Sequence, residues 1–313
     1  MSTPQQKILY ITDTHLGASL TEGYFMQPRC LDVWDQILES LRTYVKENQI
    51  DLVLHGGDLI DTATNDLIKQ AANDMRSLGV PVQLCLGNHD LDKSDALKRW
   101  LEIAPDLFPQ STHTSGIKGE HANIFIIGHH YASNNPPHFW DMTKPEAQIP
   151  IIDVTQRATL ELFTNISDKP VIIVTHCPVH GISSEQTGND IFHPANQPYA
   201  QYLINLAQQS GKIPLILSAH NHVSSVTKHH NLITMTTGSF TEAPCTARLL
   251  TINQDQMTVD QINFAEQLKL TDRFDNSNAW VGGTPSTQSI KIKMQIQSPQ
   301  QPQQSPSSMP PFM

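Results

Sequence analysis

The sequence contains few cysteines, and none of them form a close pair. Cys30, Cys85, Cys177 and Cys245 lie far apart and show no Cys-x-x-Cys spacing. In a chain of 313 residues, this pattern predicts free thiols and argues against a disulfide framework.

Long apolar runs are also absent. No stretch reaches the roughly 18 residues that a membrane-spanning helix needs, so we expect no membrane association. The N-terminus lacks the basic region and the long apolar segment of a signal peptide. We therefore expect a cytoplasmic protein.

Basic residues are outnumbered by acidic ones. The sequence has 20 Lys and Arg against 30 Asp and Glu, which gives a formal net charge of −10. Proteins that bind duplex DNA are usually basic, so this balance argues against a duplex-DNA partner. By contrast, the sequence has 15 histidines, and histidine is the commonest metal ligand in proteins. Whether these histidines bind metal depends on their positions in the sequence relative to other residues that can act as ligands.

Up to residue 222, short apolar runs alternate with helical stripes, which predicts an α/β architecture. The expected strands are 7–12, 51–54, 80–86, 123–128, 171–175 and 214–218. The expected helices are 31–48, 63–78, 94–103, 156–165 and 199–209. After residue 222, the runs 224–227, 232–237, 248–253 and 257–264 predict a second, antiparallel sheet, and so a sheet-on-sheet core flanked by helices.

Residues 1–285 are expected to form one domain. Residues 286–313 are rich in Gln, Pro and Ser, and we expect them to form a disordered tail.

Several predicted strands end on residues of the kinds that bind metal ions. These are Asp13-Thr14-His15, Gly57-Asp58-Leu59-Ile60-Asp61, Gly87-Asn88-His89-Asp90, His176 and His220-Asn221-His222. In open α/β sheets, binding sites form outside the carboxyl ends of the strands. Residues i and i+2 of an extended chain point the same way, so Asp13 and His15 are expected to reach one cation together.

In this order, the motifs resemble the signature of the calcineurin-like metallophosphoesterases, from residue 8 to about 265. The resemblance implies a two-sheet β-sandwich flanked by helices in four αββα layers. It also implies two divalent metal ions that share Asp58. One ion would be bound by Asp13, His15, Asp58 and His222, and the other by Asp58, Asn88, His176 and His220. A nitrogen and oxygen ligand set without thiolates fits Mn, Fe, Co, Zn or Ni.

The third motif resembles the class III cyclic nucleotide phosphodiesterases. This implies hydrolysis of a small phosphodiester, such as a nucleotide, by a hydroxide that bridges the two metal ions. His89 would donate a proton to the leaving oxygen, steadied by the carboxylate of Asp61. Cyclic nucleotides, other small diesters and phosphomonoesters all stay open as substrates.

Other members of the family suggest alternatives. The segment 12–17 also resembles the start of the repair-exonuclease branch, which makes a DNA nuclease the second enzymatic hypothesis. Thr62 and Asp90 stand where the Ser/Thr protein phosphatases have Arg and Glu, which argues against a protein phosphatase. Ala219 replaces the usual glycine of the last motif. A non-enzymatic scaffold is disfavoured because all the ligand positions and His89 are kept.

Several residues near the motifs have simpler interpretations. Asp61 could cap a helix that begins at Thr62, and Asp90 suits a hydrogen-bond acceptor that fixes its loop. His55 is expected to support the ligands or to fill the core. His180 is a candidate substrate contact.

Three loops, 17–29, 129–150 and 177–198, are expected to wall the cleft. His129 or His130 could face the substrate there, and Trp140 could line the cleft. His229 and His230 are expected in an exposed turn.

Overall fold

The computed structural model describes residues 5–112, 114–128, 130–131 and 138–296. The strands are Gln6–Ile11 (β1), Leu52–His55 (β2), Val82–Leu84 (β3), Ser115–Ile117 (β4), Asn123–Ile127 (β5), His130–Tyr131 (β6), Pro150–Ile151 (β7), Val171–Thr175 (β8), Leu215–Ser218 (β9), Ser225–His229 (β10), Leu232–Thr236 (β11), Thr246–Ile252 (β12), Gln256–Asn263 (β13) and Ser289–Lys293 (β14). The helices are Trp34–Glu47 (α1), Asn65–Arg76 (α2), Ala96–Ile103 (α3), Val154–Ile166 (α4), Ser184–Thr187 (α5), Gln197–Ser210 (α6) and Phe264–Gln267 (α7).

Within these ranges the strands form two mixed six-stranded sheets and one short two-stranded pair. The first sheet has the order β14-β13-β12-β1-β2-β3, and the second has the order β10-β11-β9-β8-β5-β4. Strands β1, β2 and β3 run parallel, as do β5, β8, β9 and β11. The carboxyl ends of these parallel strands therefore lie along one edge of each sheet.

Alternate side chains of the central strands β1, β2, β5, β8 and β9 enter two different cores. In β1, Ile8 and Tyr10 pack in the apolar layer between the sheets, while Leu9 and Ile11 pack against the helices. A strand that is buried on both faces needs apolar residues at every position, which explains the continuous apolar runs in the sequence. The predicted four-layer αββα sandwich is confirmed.

The strands after residue 222 do not form a separate sheet, so that prediction is wrong. β10 and β11 extend the second sheet, while β12 and β13 extend the first sheet, with Arg248 of β12 paired to Tyr10 of β1. The apolar pattern identifies each strand, but it does not encode which strand will be its neighbour.

The predicted tail boundary at residue 285 is also wrong. Residues 289–293 form β14, an edge strand that pairs antiparallel to β13, with Ile290 opposite Val259. Ile290, Ile292 and Met294 are buried in the layer between the sheets. The alternating apolar residues of this segment make it a strand. Residues 297–313 lie outside the described residues.

Two expectations from composition can be compared with the structure. All four cysteines are buried and free, as predicted. Within the described ranges, no helix has both the length and the apolar content required to cross a bilayer.

Candidate metal centre

The carboxyl ends of the parallel strands from both sheets meet at one place. Asp13 follows β1, Asp58 follows β2 and Asn88 follows β3, whereas His176 and His220 follow β8 and β9 of the second sheet. The structure brings all seven predicted ligands together there. His220 lines the cavity, and the other six have at most 3% of their surface exposed.

One group of ligand atoms consists of Asp13, His15 and His222, whose candidate atoms all lie within 4.8 Å of one another. Nε2 of His222 is 3.1 Å from Nε2 of His15 and 3.6 Å from Oδ1 of Asp13. Atoms this close and of these kinds can bind one metal ion.

A second group consists of Asp58, His176 and His220, and Asn88 lies beside it. Oδ1 of Asn88 is 3.1 Å from Nε2 of His176 and 2.8 Å from Nδ1 of His220.

Asp58 lies between the two groups. Its Oδ2 is 3.2 Å from Nε2 of His176 in the second group and 3.6 Å from Nε2 of His15 in the first. Its Oδ1 accepts a 2.8 Å hydrogen bond from the backbone N–H of His89. This position fits a carboxylate shared by two ions.

Five of the seven candidate ligands have a left-handed backbone. The φ angles are 51° at Asp13, 47° at His15, 51° at Asp58, 72° at His220 and 54° at His222. Residues other than glycine seldom adopt this conformation, and it concentrates at functional sites. Asp13 and His15 do meet, but the reason predicted from an extended backbone is wrong.

Two glycines of the motifs leave room for ligands. Gly57 has a φ of 106°, and a Cβ there would lie 2.5 Å from Nδ1 of His176. A Cβ on Gly87 would overlap Oδ1 of Asp58. Any larger residue at either position would displace a ligand.

The outward-facing nitrogens of three histidines are already hydrogen-bonded. Nδ1 donates from His15 to Oδ1 of Asp61 (3.2 Å), from His176 to the carbonyl oxygen of Gly56 (3.0 Å), and from His222 to Oε1 of Glu242 (2.6 Å). With the proton on Nδ1, each Nε2 directs a lone pair into the site, as a metal-bound imidazole must. The residues therefore fit metal ions.

The electrostatics of the site also favour cations. Burial lowers the pKa of His176, but the carboxylates of Asp58 and Asp13 outweigh this and raise it to about 9. Burial likewise lowers the pKa of His222, and Glu242 and Asp13 raise it to about 9. The negative potential around these two imidazoles also attracts metal ions, whereas burial lowers the pKa of His15 and lowers that of His220 to about 3.

Comparison with known proteins identifies the family. The model described as calcineurin-like phosphoesterase matches residues 6–224. The chain belongs to the calcineurin-like phosphoesterase family. This is a family of metal-dependent phosphoester hydrolases, and the ligand groups described above agree with that class.

This chain also matches two individual relatives over shorter segments. It is 27% identical to the DNA double-strand break repair protein Mre11 of Methanococcus maripaludis over 148 residues, which are 44% of this chain and 39% of that protein. It is 28% identical over 88 residues to a probable cyclic nucleotide phosphodiesterase of Xenorhabdus bovienii, covering 28% of this chain and 35% of that protein. The chain thus spans less than half the length of either relative.

A solved structure shows the shared fold. A dimetal phosphatase from Danio rerio superposes with a TM-score of 0.66 and 12% identity, covering 93% of this chain and 99% of the other.

His89 and Asp61 lie beside the candidate metal ligands. Nδ1 of His89 donates to the backbone carbonyl of Asp61 (2.9 Å), and the Asp61 carboxylate is farther from it, at 3.5 Å. The Asp61 carboxylate lies closer to Nδ1 of His15, at 3.2 Å. Its main partner is therefore His15, and not His89 as expected. Asp61 is not a helix cap, because Thr64 caps α2.

Other candidates have structural partners. Asp90 accepts hydrogen bonds from the backbone N–H groups of Leu59, Ile60 and Gly87, and so fixes its loop as predicted. His55 is buried and bonds to Thr14 over 2.8 Å, which supports the first ligand strand.

The other histidines named from the sequence are His129, His130, His180, His229 and His230. His180 is buried, and its Nδ1 lies 2.9 Å from the hydroxyl of Thr234, which does not fit a substrate contact. His229 ends β10 and His230 lies in the turn before β11. His129 lies outside the described residues, and His130 belongs to β6.

Glu242 belongs to the candidate site, although no motif in the sequence predicts it. It is buried and bonds to the predicted ligand His222. One signal could have revealed it, because Glu242 is the only Asp, Glu, Lys or Arg between Lys228 and Arg248.

The ligands open onto a cavity of about 630 Å³. All three predicted loops contribute to its walls, including Tyr24 from the first, Trp140 from the second and His193 from the third. Trp140 also stacks on His89, with ring centroids 5.1 Å apart. A small organic molecule fits a cavity of this size.

Proposed function

We propose that this protein hydrolyses a small phosphodiester with two divalent transition-metal ions. The observation that supports this most is the position of Asp58, whose one oxygen lies between two groups of metal-ligand atoms at the floor of a cavity. Two ions that share a carboxylate are the arrangement used to clamp a phosphate during in-line displacement.

Asp13, His15, Asp58 and His222 would hold one ion, and Asp58, Asn88, His176 and His220 would hold the other. When bound, the ions would supply Lewis-acid stabilisation of phosphate charge and would acidify the attacking water. The histidines contribute by presenting Nε2, or Nδ1 in His220, in a fixed orientation.

His89 is the group placed to assist the leaving oxygen. It lines the cavity, and its Nδ1 is fixed by the carbonyl of Asp61. Its Nε2 is then free to interact with the substrate. We propose that the imidazolium form, with protons on both nitrogens, donates the Nε2 proton to the leaving oxygen and becomes the neutral imidazole that keeps its Nδ1 proton.

The charge of the site favours a diester over a monoester. Two divalent ions carry four positive charges, and Asp13, Asp58, Asp61 and Glu242 place four negative charges on or beside the ligands. A phosphomonoester is largely a dianion at neutral pH, because its second pKa is about 6. A diester carries only one negative charge and needs less compensation.

The cavity walls add little positive charge. Arg29 is the only Lys or Arg among the described residues that line the cavity. Its guanidinium already donates to the carbonyl oxygens of Ser19, Glu22 and Tyr24. These bonds hold the guanidinium against its own loop, so Arg29 adds a single fixed positive charge to the cavity wall.

The test compares bis(p-nitrophenyl) phosphate with p-nitrophenyl phosphate, because the two share one leaving group. The protein is first reconstituted with Mn²⁺ or Zn²⁺, and the variant Asp58→Asn serves as the control for contaminating phosphatases. We expect a higher kcat/KM for the diester. A higher kcat/KM for the monoester would overturn the diester proposal and favour a phosphomonoesterase.

The match to Mre11 makes a DNA nuclease the second candidate. Single-stranded DNA is also a phosphodiester, but the net charge of −10 gives little attraction for a polyanion. The same assay therefore includes a labelled single-stranded oligonucleotide and a 3′,5′-cyclic nucleotide. Faster cleavage of the oligonucleotide would favour the nuclease.

A further inference from the structure

Two aromatic side chains lie at opposite ends of a row of rings that crosses the site. The ring centroids are 5.1 Å apart for Tyr24 and His222, 5.0 Å for His222 and His15, 4.7 Å for His15 and His89, and 5.1 Å for His89 and Trp140. Two candidate ligands, His222 and His15, and then His89 thus stand between Tyr24 and Trp140 in this row.

Trp140 lies on the side of His89. Its backbone N–H donates to the carbonyl of Leu91 (2.9 Å), at the end of the short 3₁₀ turn His89–Leu91. The indole and the imidazole are therefore held by the same turn. A substituent attached to the leaving oxygen beside His89 would meet the Trp140 ring.

Tyr24 lies on the other side, next to His222. Its hydroxyl is 2.9 Å from Nε2 of His193, which fixes the ring at the cavity wall. Arg29 holds the same loop, donating to the Glu22 carbonyl (2.7 Å) and the Tyr24 carbonyl (2.6 Å). A substituent that stays on phosphorus would meet the Tyr24 ring.

The walls suit uncharged, planar groups. Met142 extends the Trp140 wall and is 69% exposed, and Tyr24 is 43% exposed. Glu22 also lines the cavity, and it would repel an anionic substituent. Aromatic rings offer stacking surfaces, which bind planar groups with little regard to their hydrogen-bonding pattern.

We propose that the cavity binds a phosphodiester with two uncharged organic arms, the leaving arm against Trp140 and the retained arm, an aromatic one, against Tyr24. This inference rests on the proposed diester hydrolysis and adds the substrate class and the place of each arm. His193 acts as a positioning residue for the Tyr24 ring, because its Nε2 lies 2.9 Å from the Tyr24 hydroxyl.

The experiment uses three substrates with one leaving group: p-nitrophenyl phosphate, methyl p-nitrophenyl phosphate and phenyl p-nitrophenyl phosphate. They share the leaving arm, and the two diesters also share their charge, so only the retained arm differs between them. The variants are Tyr24→Leu and Trp140→Leu. Tyr202→Leu, on α6 and outside the cavity, is the matched control.

The wild type should prefer the phenyl diester to the methyl diester. Tyr24→Leu should lower kcat/KM for the phenyl diester by about tenfold, the order expected for one lost stacking contact, and should lower it much less for the other two substrates. Trp140→Leu should lower kcat/KM for all three substrates by a similar factor. Elemental analysis should find the same metal content in every variant.

The outcomes separate the two proposals. Hydrolysis of the monoester without hydrolysis of either diester would overturn the proposed function itself. Hydrolysis of both diesters with no phenyl preference, or with equal losses on all three substrates in Tyr24→Leu, would overturn only the placement of the arms. Loss of metal from Tyr24→Leu or Trp140→Leu would also overturn it, because the residue would then belong to the metal centre.

His193→Gln checks the positioning role. It should reduce the preference for the phenyl diester less than Tyr24→Leu does, since the ring remains but is held less firmly. A loss equal on all three substrates would overturn this role.

Discussion

One carboxylate joins a predicted metal ligand to the cavity wall: Oε1 of Glu242 accepts a 2.6 Å hydrogen bond from Nδ1 of His222. Its other oxygen accepts from the backbone N–H groups of Met26 (2.8 Å) and Gln27 (3.0 Å). Those residues lie two and three positions after Tyr24 in the chain. Glu242 therefore fixes the orientation of His222 and anchors the loop that carries the Tyr24 wall.

Replacing Glu242 by Gln should weaken metal binding. The amide keeps the size of the side chain but loses the negative charge that orients and polarises His222. Removal of such partners typically costs about 10- to 100-fold in metal affinity. Titration calorimetry with Zn²⁺ measures this, with Glu185→Gln on the surface as the control. Unchanged affinity in Glu242→Gln would show that the hydrogen bond has no part in metal binding.

Asp58→Asn should lose more metal than any other single ligand change. Only Asp58 lies against both ligand groups, 3.2 Å from His176 and 3.6 Å from His15. Asp13→Asn is the matched comparison, because Asp13 belongs to one group alone. Elemental analysis after metal loading should find about one ion per chain in Asp13→Asn and fewer in Asp58→Asn. Equal contents in the two variants would contradict a shared carboxylate.

Much of the site could be predicted because its residue types are diagnostic and follow strand ends. The strand-end motifs predict that Asp13, His15 and the other candidate ligands lie together. They do not predict the left-handed backbone conformation found at these residues. The left-handed backbone at Asp13 and His15 depends on contacts with other strands, such as the hydrogen bond from the His15 N–H to the Asp58 carbonyl. Glu242 could not be predicted from the sequence, because only the tertiary structure places it beside His222.

The fold shows the same division between local and non-local information. Strand β8 was predicted with its observed bounds, since a buried β-branched run is a local signal. The partner of β12 could not be predicted, because its pairing with β1 joins residues more than 230 positions apart. β14 was missed because its two buried isoleucines are a weak signal within a polar segment.

The two faces of β14 should differ sharply in their effect on stability. Ile292→Ala removes buried side-chain atoms from the layer between the sheets and should cost about 2–4 kcal/mol in the free energy of unfolding. Lys291→Ala, one residue away on the exposed face, should change it by less than about 0.5 kcal/mol. Urea unfolding measures both. If both substitutions had equally small effects, the Ile292 face of β14 would not be packed in the layer between the sheets.

Asp61→Asn should act mainly through the metal centre. The Asp61 carboxylate lies 3.2 Å from Nδ1 of His15, whereas His89 is held by the Asp61 backbone carbonyl, which the substitution keeps. We expect metal affinity to fall by about tenfold and the dependence of turnover on the leaving group to stay as in the wild type. Asp66→Asn, on the surface of α2, is the control. A changed leaving-group dependence with full metal content would show that the carboxylate acts on His89.

His89→Ala should separate catalysis from metal binding. His89 lies beside the candidate ligands. It belongs neither to the first group, which contains His222, nor to the second group, which contains Asp58. The variant should therefore retain its metal. The same cavity position puts the imidazole within reach of the substrate. A general acid typically contributes about 10²–10⁴-fold, so turnover of a diester with a poor leaving group should fall by that order.

The leaving group decides how the result is interpreted. p-Nitrophenolate needs little protonation as it departs, so His89→Ala should affect methyl p-nitrophenyl phosphate much less than methyl phenyl phosphate. An equal loss on both esters would mean that His89 stabilises charge on the phosphate oxygens, because that interaction does not depend on the leaving group. Loss of the ions from His89→Ala would contradict both roles and would place His89 among the metal ligands, in the third group of close ligand atoms with His15 and Asp61.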